Sequence, residues 1–326
     1  MSRLLDIVKQ NRESVRDITT LYIISSNYTI LFANSLRHYY RQHIPDIQYK
    51  VKREYTEKIH REILDDHCRI LFLGFTHLIS GGNQLLKINN NNDKKDIHDS
   101  LFAPIPKNSY GLIQIEQLNQ TAYPYQSIDP DAEELIKNAL FSLDYSFVNL
   151  EFYPHTIKNK IQHLDIFSIF DKYHHIYINT ILKRDTKDID ILFIGTMNAR
   201  RQTILDSLRE RFSKDKDKDK DINIHAVSTL FGDDLVQLLQ RTKIVINLHY
   251  YPDSILEVFR IFDIMQNSQC HIISERPDKE CEQYLVKRLQ HKLDFIDTIN
   301  IEKMNLDSNS IGIEKMYNTI THILSL

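Results

Sequence analysis

Short apolar runs followed by a turn and then by a helical apolar pattern recur along the chain. The clearest are ILFI at residues 191–194 and KIVINL at 243–248, each followed by apolar positions at helical spacing. This order of strand, loop and helix is typical of a parallel sheet covered by helices. In such sheets ligands bind outside the carboxyl ends of the strands, so the loops after strands are the first place to look for function.

The first half of the chain carries the same pattern. Strands are predicted over residues 21–26, 47–51 and 70–75, with helical segments between them, and further strands over 111–115 and 145–150. The last predicted element is a helix over residues 311–326. We therefore expect an α/β protein with two sheets, because 326 residues exceed what a single core usually supports.

Two arginines open the helix that follows strand 191–194. Gly195 ends this strand, Asn198 can cap the helix, and Arg200 and Arg201 stand in its first turn. A cation at a helix N-terminus costs about 0.3–1 kcal/mol unless an anion is bound there. Free backbone N–H groups, a glycine and two guanidinium groups would form a phosphate site. The alternative is that both arginines point into solvent.

A second group of polar residues follows strand 243–248. Asn247 and His249 lie at its end, and the helix predicted from residue 255 is apolar nearly all round. Glu257 and Arg260 are its charged exceptions, three residues apart and therefore on one face. Charges in a buried helix are costly unless they are paired or bind a ligand.

Three interpretations of these two charges stay open. Ser254 and Glu257 have the spacing of a capping box. Glu257 and Arg260 can instead form a structural ion pair. In the third interpretation the carboxylate holds the hydroxyl groups of a ribose while the guanidinium binds a diphosphate.

The motifs GTMNARR, LFGDDLVQLL, KIVINLHYYPDSILEVFRIFDIM and CHIISE, in this order, resemble the donor-binding half of two-domain GT-B glycosyltransferases, particularly a subgroup from bacteria and giant viruses. YGLIQIEQLN and LDYSFVNLEF are similar to the acceptor-side half of the same proteins. The resemblance extends from about residue 21 to 326. It implies two Rossmann-like domains that face each other across a cleft, an acceptor-side domain at 1–182 and a nucleotide-sugar-binding domain at 183–326. The last helix often packs back on the first domain in this family.

The resemblance also implies a set of site residues. The donor-binding residues would be Gly195, Asn198, Arg200, Arg201, Phe231, Gly232, Asn247, His249, Glu257 and Arg260. Glu116 and His77 would approach from the acceptor side as catalytic groups, although both have ordinary structural explanations. One departure concerns the sugar contact: many relatives carry a second glutamate eight positions after the first, where this chain has Met265.

The implied reaction is transfer of a hexose-type sugar from a nucleotide-diphosphate sugar to a glycan, protein or small-molecule acceptor, without a metal or other cofactor. Asp129 and Asp131 have D-x-D spacing, but helix capping explains them better than metal binding. Alternatives are a nucleotide-sugar-binding scaffold without turnover and an enzyme that glycosylates a nucleic-acid base. The last would need a basic groove, for which the candidates are Arg37, Arg41, Lys50, Lys52 and Arg53.

Composition narrows the class of protein further. A net charge of −3 argues against a general nucleic-acid binder. Three cysteines without metal spacing indicate a reducing compartment. The chain has no apolar run of membrane-spanning length and no signal-peptide core, so we expect a cytoplasmic protein, in the host cell or virion if it is viral.

Overall fold

The structure is a computed structural model that describes residues 19–53, 55, 57–64, 68–74, 107–118, 130–167, 187–214, 222–252, 254–277, 279, 282–299 and 311–325. The chain divides into two compact units, Met1–Tyr173 and His174–Leu326. Each unit contains one sheet in which every described strand pairing is parallel. The fold is therefore mixed α/β, with two parallel sheets of the Rossmann-like kind.

The N-terminal unit has a six-stranded sheet in the order β2-β1-β3-β4-β5-β6. Its strands are β1 (Thr20–Ile24), β2 (Gln48–Lys52), β3 (Cys68–Leu73), β4 (Tyr110–Gln114), β5 (Phe141–Asp144) and β6 (Ile161–His163). Its helices are α1 (Ile30–His43), α2 (Glu57–Leu64), α3 (Pro130–Asn138), α4 (Phe147–Phe152) and α5 (His155–Lys158). On one face of this sheet, Phe72 and Leu112 pack with Ile63 of α2 and Leu135 of α3.

The C-terminal unit has a five-stranded sheet in the order β11-β10-β9-β7-β8. Its strands are β7 (Ile189–Ile194), β8 (Ile224–Val227), β9 (Thr242–Asn247), β10 (His271–Glu275) and β11 (Asp294–Ile296). Its helices are α6 (Ala199–Lys214), α7 (Gly232–Gln240), α8 (Val258–Asn267), α9 (Gln283–Leu289) and α10 (Ile311–Ser325). Strand β7 is buried along its whole length, which explains why its sequence is almost continuously apolar.

The last helix contributes to the core of the C-terminal unit. Ile313, Met316 and Ile320 of α10 are buried together with Ile191 and Leu205. Tyr317 also packs against α6, where the guanidinium of Arg211 lies 4.7 Å from the centre of its ring. The helix thus stabilises its own unit, on the sheet face that α6 covers.

Two sequence expectations about local structure are wrong. Residues 145–150 were expected to form a strand, but the strand ends at Asp144 and α4 begins at Phe147. The side-chain oxygen of Ser146 accepts a hydrogen bond from the backbone N–H of Val148 at 3.1 Å, which is the contact of a helix N-cap. The helix expected from residue 255 begins at Val258, so Glu257 precedes its first turn.

None of the helices in the described ranges is long and apolar enough to cross a membrane.

A glycine in β4 allows an aromatic ring to lie across the sheet. Gly111 pairs in register with Phe141 of β5, and a Cβ atom at Gly111 would lie 2.2 Å from Cζ of that ring. We expect Gly111→Ala to lower the free energy of unfolding by about 1–3 kcal/mol, because overpacking outweighs the lower entropy of the unfolded alanine chain. Urea unfolding measures this change. In a Phe141→Ala background, Gly111→Ala should lower the free energy of unfolding by almost nothing. An equal loss in both backgrounds would contradict the explanation.

Candidate functional site

The predicted donor-side residues lie at the carboxyl edge of the C-terminal sheet. Gly195 follows β7 and has a backbone φ of +145°, a conformation that favours glycine. Its N–H donates to the carbonyl of Val227 at 2.9 Å, which continues the pairing with β8. A Cβ atom at Gly195 would lie 3.3 Å from Nη1 of Arg201 and 3.3 Å from Nη2 of Arg260. Two guanidinium groups therefore flank the end of β7.

Arg200 is buried, with 5% of its surface exposed, and forms an ion pair with the fully buried Glu275 at the end of β10. Its guanidinium also donates to the carbonyls of His249 at 2.7 Å and Ile299 at 2.9 Å. Both terminal nitrogens are thus used by protein acceptors, since Nη1 bonds Glu275 as well, at 3.0 Å. We assign Arg200 to the scaffold of the site, in contrast to its expected role as a phosphate ligand.

Arg201 is also buried, with 1% of its surface exposed. Its guanidinium donates to the carbonyl of Leu248 at 2.6 and 3.1 Å and to that of Thr196 at 2.7 Å. Its Nη2 lies 3.4 Å from Oε1 of Glu257. Burial, and then the nearby charge of Arg260, lower the pKa of Arg201 to about 10. The alternative that Arg200 and Arg201 both point into solvent is therefore wrong.

Glu257 is the acceptor at the centre of this cluster. Its Oε2 accepts hydrogen bonds from Nδ2 of Asn247 and is bonded to Nδ1 of His249, each at 3.1 Å. Its Oε1 has only longer contacts, 3.4 Å to Arg201 and 3.6 Å to Arg260. Burial by itself would raise the pKa of Glu257, but His249, Arg260 and Arg201 outweigh burial and hold this pKa at about 2. The carboxylate is therefore ionised throughout the physiological range.

His249 is fully buried, and its imidazole bonds Glu257 through Nδ1 while its Nε2 has no hydrogen-bond partner. Burial by itself would lower the pKa of His249, but the carboxylates of Glu257 and Glu275 outweigh it and raise this pKa above its ordinary value. A protonated His249 adds positive charge to the cluster, so its charge depends on pH near neutrality.

Arg260 differs from the other two arginines because a quarter of its side chain is exposed. It donates through Nη1 to Oδ1 of Asn247 at 2.8 Å. Its 3.6 Å approach to Glu257 matches the ion-pair interpretation, but Glu257 also contacts Arg201. One carboxylate facing two guanidinium groups leaves an excess of positive charge at the end of β7. This arrangement can bind an anion through the exposed edge of Arg260.

The capping-box interpretation fails, because α8 begins at Val258 with Glu257 itself at the N-cap position, whereas Ser254 Oγ accepts from the N–H of Tyr251 at 3.1 Å. Asn198 does cap its helix as predicted: its Oδ1 accepts from the N–H of Arg201 at 2.8 Å. Its Nδ2 donates to the carbonyl of Tyr250 at 2.7 Å, which ties the loop after β7 to the loop after β9.

Phe231 and Gly232 lie beyond β8, the strand on the other side of β7. Phe231 is half-buried and occupies the N-cap position of α7, and Gly232 has a positive φ of 61°. They are therefore at the same edge of the sheet as the charged cluster. Their proposed contact with a nucleotide base stays a prediction.

In the N-terminal unit, Glu116 follows β4 and is half-buried. The backbone carbonyl of Glu116 accepts from Nδ2 of Asn149 at 2.8 Å, and Oδ1 of Asn149 accepts from the N–H of Leu118 at 2.7 Å. Asn149 in turn donates to the buried carboxylate of Asp144 at 3.0 and 3.1 Å. This network fixes the backbone that carries Glu116.

His77 lies outside the described residues. Within the described part of the chain, no group of three His, Cys, Asp or Glu side chains could hold a metal ion. The sequence interpretation missed Glu275, whose only local signal is a carboxylate at the end of an apolar run. It also missed Arg276, the residue that follows.

No protein-family model matches this chain, and no curated protein matches it by sequence. Among solved structures, E. coli heptosyltransferase WaaC with ADP-2-deoxy-2-fluoro heptose aligns with 85% of this chain and 92% of that chain, at 10% identity and a TM-score of 0.30.

Breaking the Arg200–Glu275 pair should be strongly destabilising. We expect Glu275→Gln to lower the free energy of unfolding by about 3–5 kcal/mol, because it leaves a buried guanidinium without its counter-charge. Urea unfolding of the wild type and the variant measures the loss. The matched control is Asp188→Asn, which removes the exposed partner of Arg241 and should cost about 0–1 kcal/mol. Equal losses in the two variants would contradict the role of the buried pair.

The His249–Glu257 contact predicts a pH-dependent stability. Because the folded state raises the pKa of His249, this contribution is fully present below the ordinary histidine pKa and is lost as the pH rises through the raised value. We expect the stability difference between the wild type and Glu257→Gln to shrink from about pH 5.5 to about pH 8.5. Urea unfolding at both pH values measures it, and a difference that stays constant would show that His249 does not titrate against Glu257.

Proposed function

We propose that this protein is a glycosyltransferase that moves a sugar from a nucleotide-diphosphate sugar to an acceptor. The observation that carries the proposal is the cluster at the end of β7 and β9, where Arg201 and Arg260 face the single carboxylate of Glu257. This cluster lies at the carboxyl edge of a parallel sheet, which is the edge at which nucleotides bind in open α/β folds. The sequence resemblance supports the GT-B class for the chain as a whole.

Arg260 would bind the diphosphate of the donor. Its guanidinium is partly exposed and carries N–H groups beyond the one that bonds Asn247. Arg201 is buried behind it and contributes charge more than hydrogen bonds. A preorganised cation at the departing diphosphate stabilises the charge that develops as the bond to the sugar breaks.

Glu257 would hold the ribose. Its Oε2 is used by Asn247 and His249, whereas its Oε1 has contacts no shorter than 3.4 Å. An ionised carboxylate oxygen with spare lone pairs is a strong acceptor for a ribose hydroxyl group. Asn247 and His249 thus orient the carboxylate, and Gly195 keeps the space next to the guanidinium groups free of a side chain.

The reaction would be a displacement at the anomeric carbon. An acceptor hydroxyl or amine forms the new bond to that carbon, the bond to the diphosphate oxygen breaks, and the acceptor proton passes to a base. Glu116, on a backbone held by Asn149, is our candidate for the base, with His77 as the other. The acceptor would be a glycan, a protein or a small molecule.

Binding of nucleotide sugars tests the proposal. In a thermal-shift screen of UDP-, GDP-, ADP- and dTDP-sugars, at least one should raise the melting temperature, since a ligand at 100 times its Kd stabilises by about 2.7 kcal/mol. Arg260→Ala should abolish the shift while the variant stays folded by circular dichroism. Arg241→Ala, which removes an arginine that pairs with Asp188 just before β7, should leave the shift unchanged.

Turnover separates an enzyme from a binding protein. Release of the free nucleotide from the sugar that gives the largest shift should be detectable by chromatography, with water as the acceptor. Binding without release, with or without a panel of glycan acceptors, would favour a scaffold that lacks turnover. No shift with any nucleotide sugar would refute the donor assignment.

A further inference from the structure

Arg276 extends strand β10 by one residue at the carboxyl edge of the C-terminal sheet. Its N–H donates to the carbonyl of Ile296 at 2.7 Å, so the backbone continues the parallel pairing of β10 with β11. Successive side chains of a strand point to opposite faces of the sheet. Glu275 points to the face on which it binds Arg200, and Ser274 points to the other, where its Oγ accepts from Nδ2 of Asn247 at 3.0 Å.

This alternation places Arg276 on the face of Asn247. Ser274 is the last residue of β10 that pairs with β9, opposite Asn247, and Arg276 follows two residues later on the same face. Arg276 therefore projects from the sheet edge on the same face as Asn247, whose side chain bonds Glu257 and Arg260.

The donors at this edge of the sheet are only partly satisfied by acceptors in the described part of the chain. Nε of Arg276 is buried without a hydrogen-bond partner, and so is Nε2 of His249, which is a donor when the imidazole is protonated. Among the described residues, the guanidinium of Arg276 has no acceptor, and that of Arg260 has only Asn247 and the distant Glu257. Buried polar groups are normally paired, so an unpaired guanidinium at the carboxyl edge of the sheet indicates an acceptor supplied by a ligand.

The charge count indicates how many anionic groups that ligand carries. Arg200 is neutralised by Glu275, and Glu257 is shared by Arg201 and Arg260, so these residues together with Arg276 carry an excess of two positive charges. A single phosphate group can pair fully with one of the two guanidinium groups of Arg260 and Arg276. Two linked phosphoryl groups match both, since each guanidinium offers a planar pair of donors to one phosphoryl group.

We propose that Arg276 is the second guanidinium ligand of this site and binds the phosphoryl group of a diphosphate that Arg260 does not bind. The identity of the ligand as a nucleotide-diphosphate sugar rests on the proposed function, whereas the preference for two linked phosphoryl groups does not. Loss of Arg276 should therefore affect diphosphates much more than monophosphates.

Calorimetric titration of the full chain with inorganic pyrophosphate and inorganic phosphate tests the assignment. The wild type should bind pyrophosphate at least about tenfold more tightly than phosphate. Arg276→Gln should weaken pyrophosphate binding by about tenfold, or about 1.4 kcal/mol, and leave phosphate binding within about twofold. Arg276→Lys should lose less affinity for pyrophosphate than Arg276→Gln, because lysine keeps the positive charge but lacks the planar pair of donors of a guanidinium. Arg260→Gln should weaken both ligands.

Arg241→Gln is the matched control, since it removes one positive charge from an exposed arginine that pairs with Asp188. It should bind both anions like the wild type. Wild-type affinity for pyrophosphate in a folded Arg276→Gln variant would overturn the assignment, as would a wild type without preference for pyrophosphate. If Arg276→Gln behaves as expected but no nucleotide sugar raises the melting temperature, the diphosphate site stands and the glycosyltransferase proposal fails.

Discussion

A buried ion pair between Arg200 and Glu275 holds together the edge of the sheet on which the candidate site lies. Both residues also bond the backbone of His249 and of Ile299, so the pair joins the start of α6, the end of β10 and the segments after β9 and β11. Removing two charges from water is costly, and such a pair stabilises a fold only when its remaining donors and acceptors are satisfied. Here backbone groups of two other segments satisfy most of them.

This pair separates the structural arginine from the binding arginine. Arg200 points to the face of the sheet covered by α6, whereas Arg260 lies at the start of α8 with a quarter of its side chain exposed. Between them, Arg201 is fixed by the carbonyls of Thr196 and Leu248. Because Glu257 faces two guanidinium groups, the carboxyl edge of the C-terminal sheet carries an excess of positive charge. The surrounding hydrogen bonds fix these charges before a ligand binds.

The local sequence pattern predicts much of the fold and part of the site. Parallel strands are buried on both faces, so their apolar runs are visible without a structure, and the only charges in an otherwise apolar helical segment single out Glu257 and Arg260. The pattern cannot identify Glu275 as the partner of Arg200, because the two are 75 residues apart and meet only after the sheet has formed. Arg276 was missed for the same reason: its position depends on the register of β10 with β9.

A crystal structure with the nucleotide sugar that raises the melting temperature most is the most direct test of the account. We expect phosphoryl oxygens about 2.7–2.9 Å from the guanidinium nitrogens of Arg260, and a ribose hydroxyl group on Oε1 of Glu257. Arg200 should remain bonded to Glu275 without touching the ligand. A nucleotide bound elsewhere, with Arg260 contacting only Asn247 and Glu257, would contradict the assignment of this cluster as the donor site.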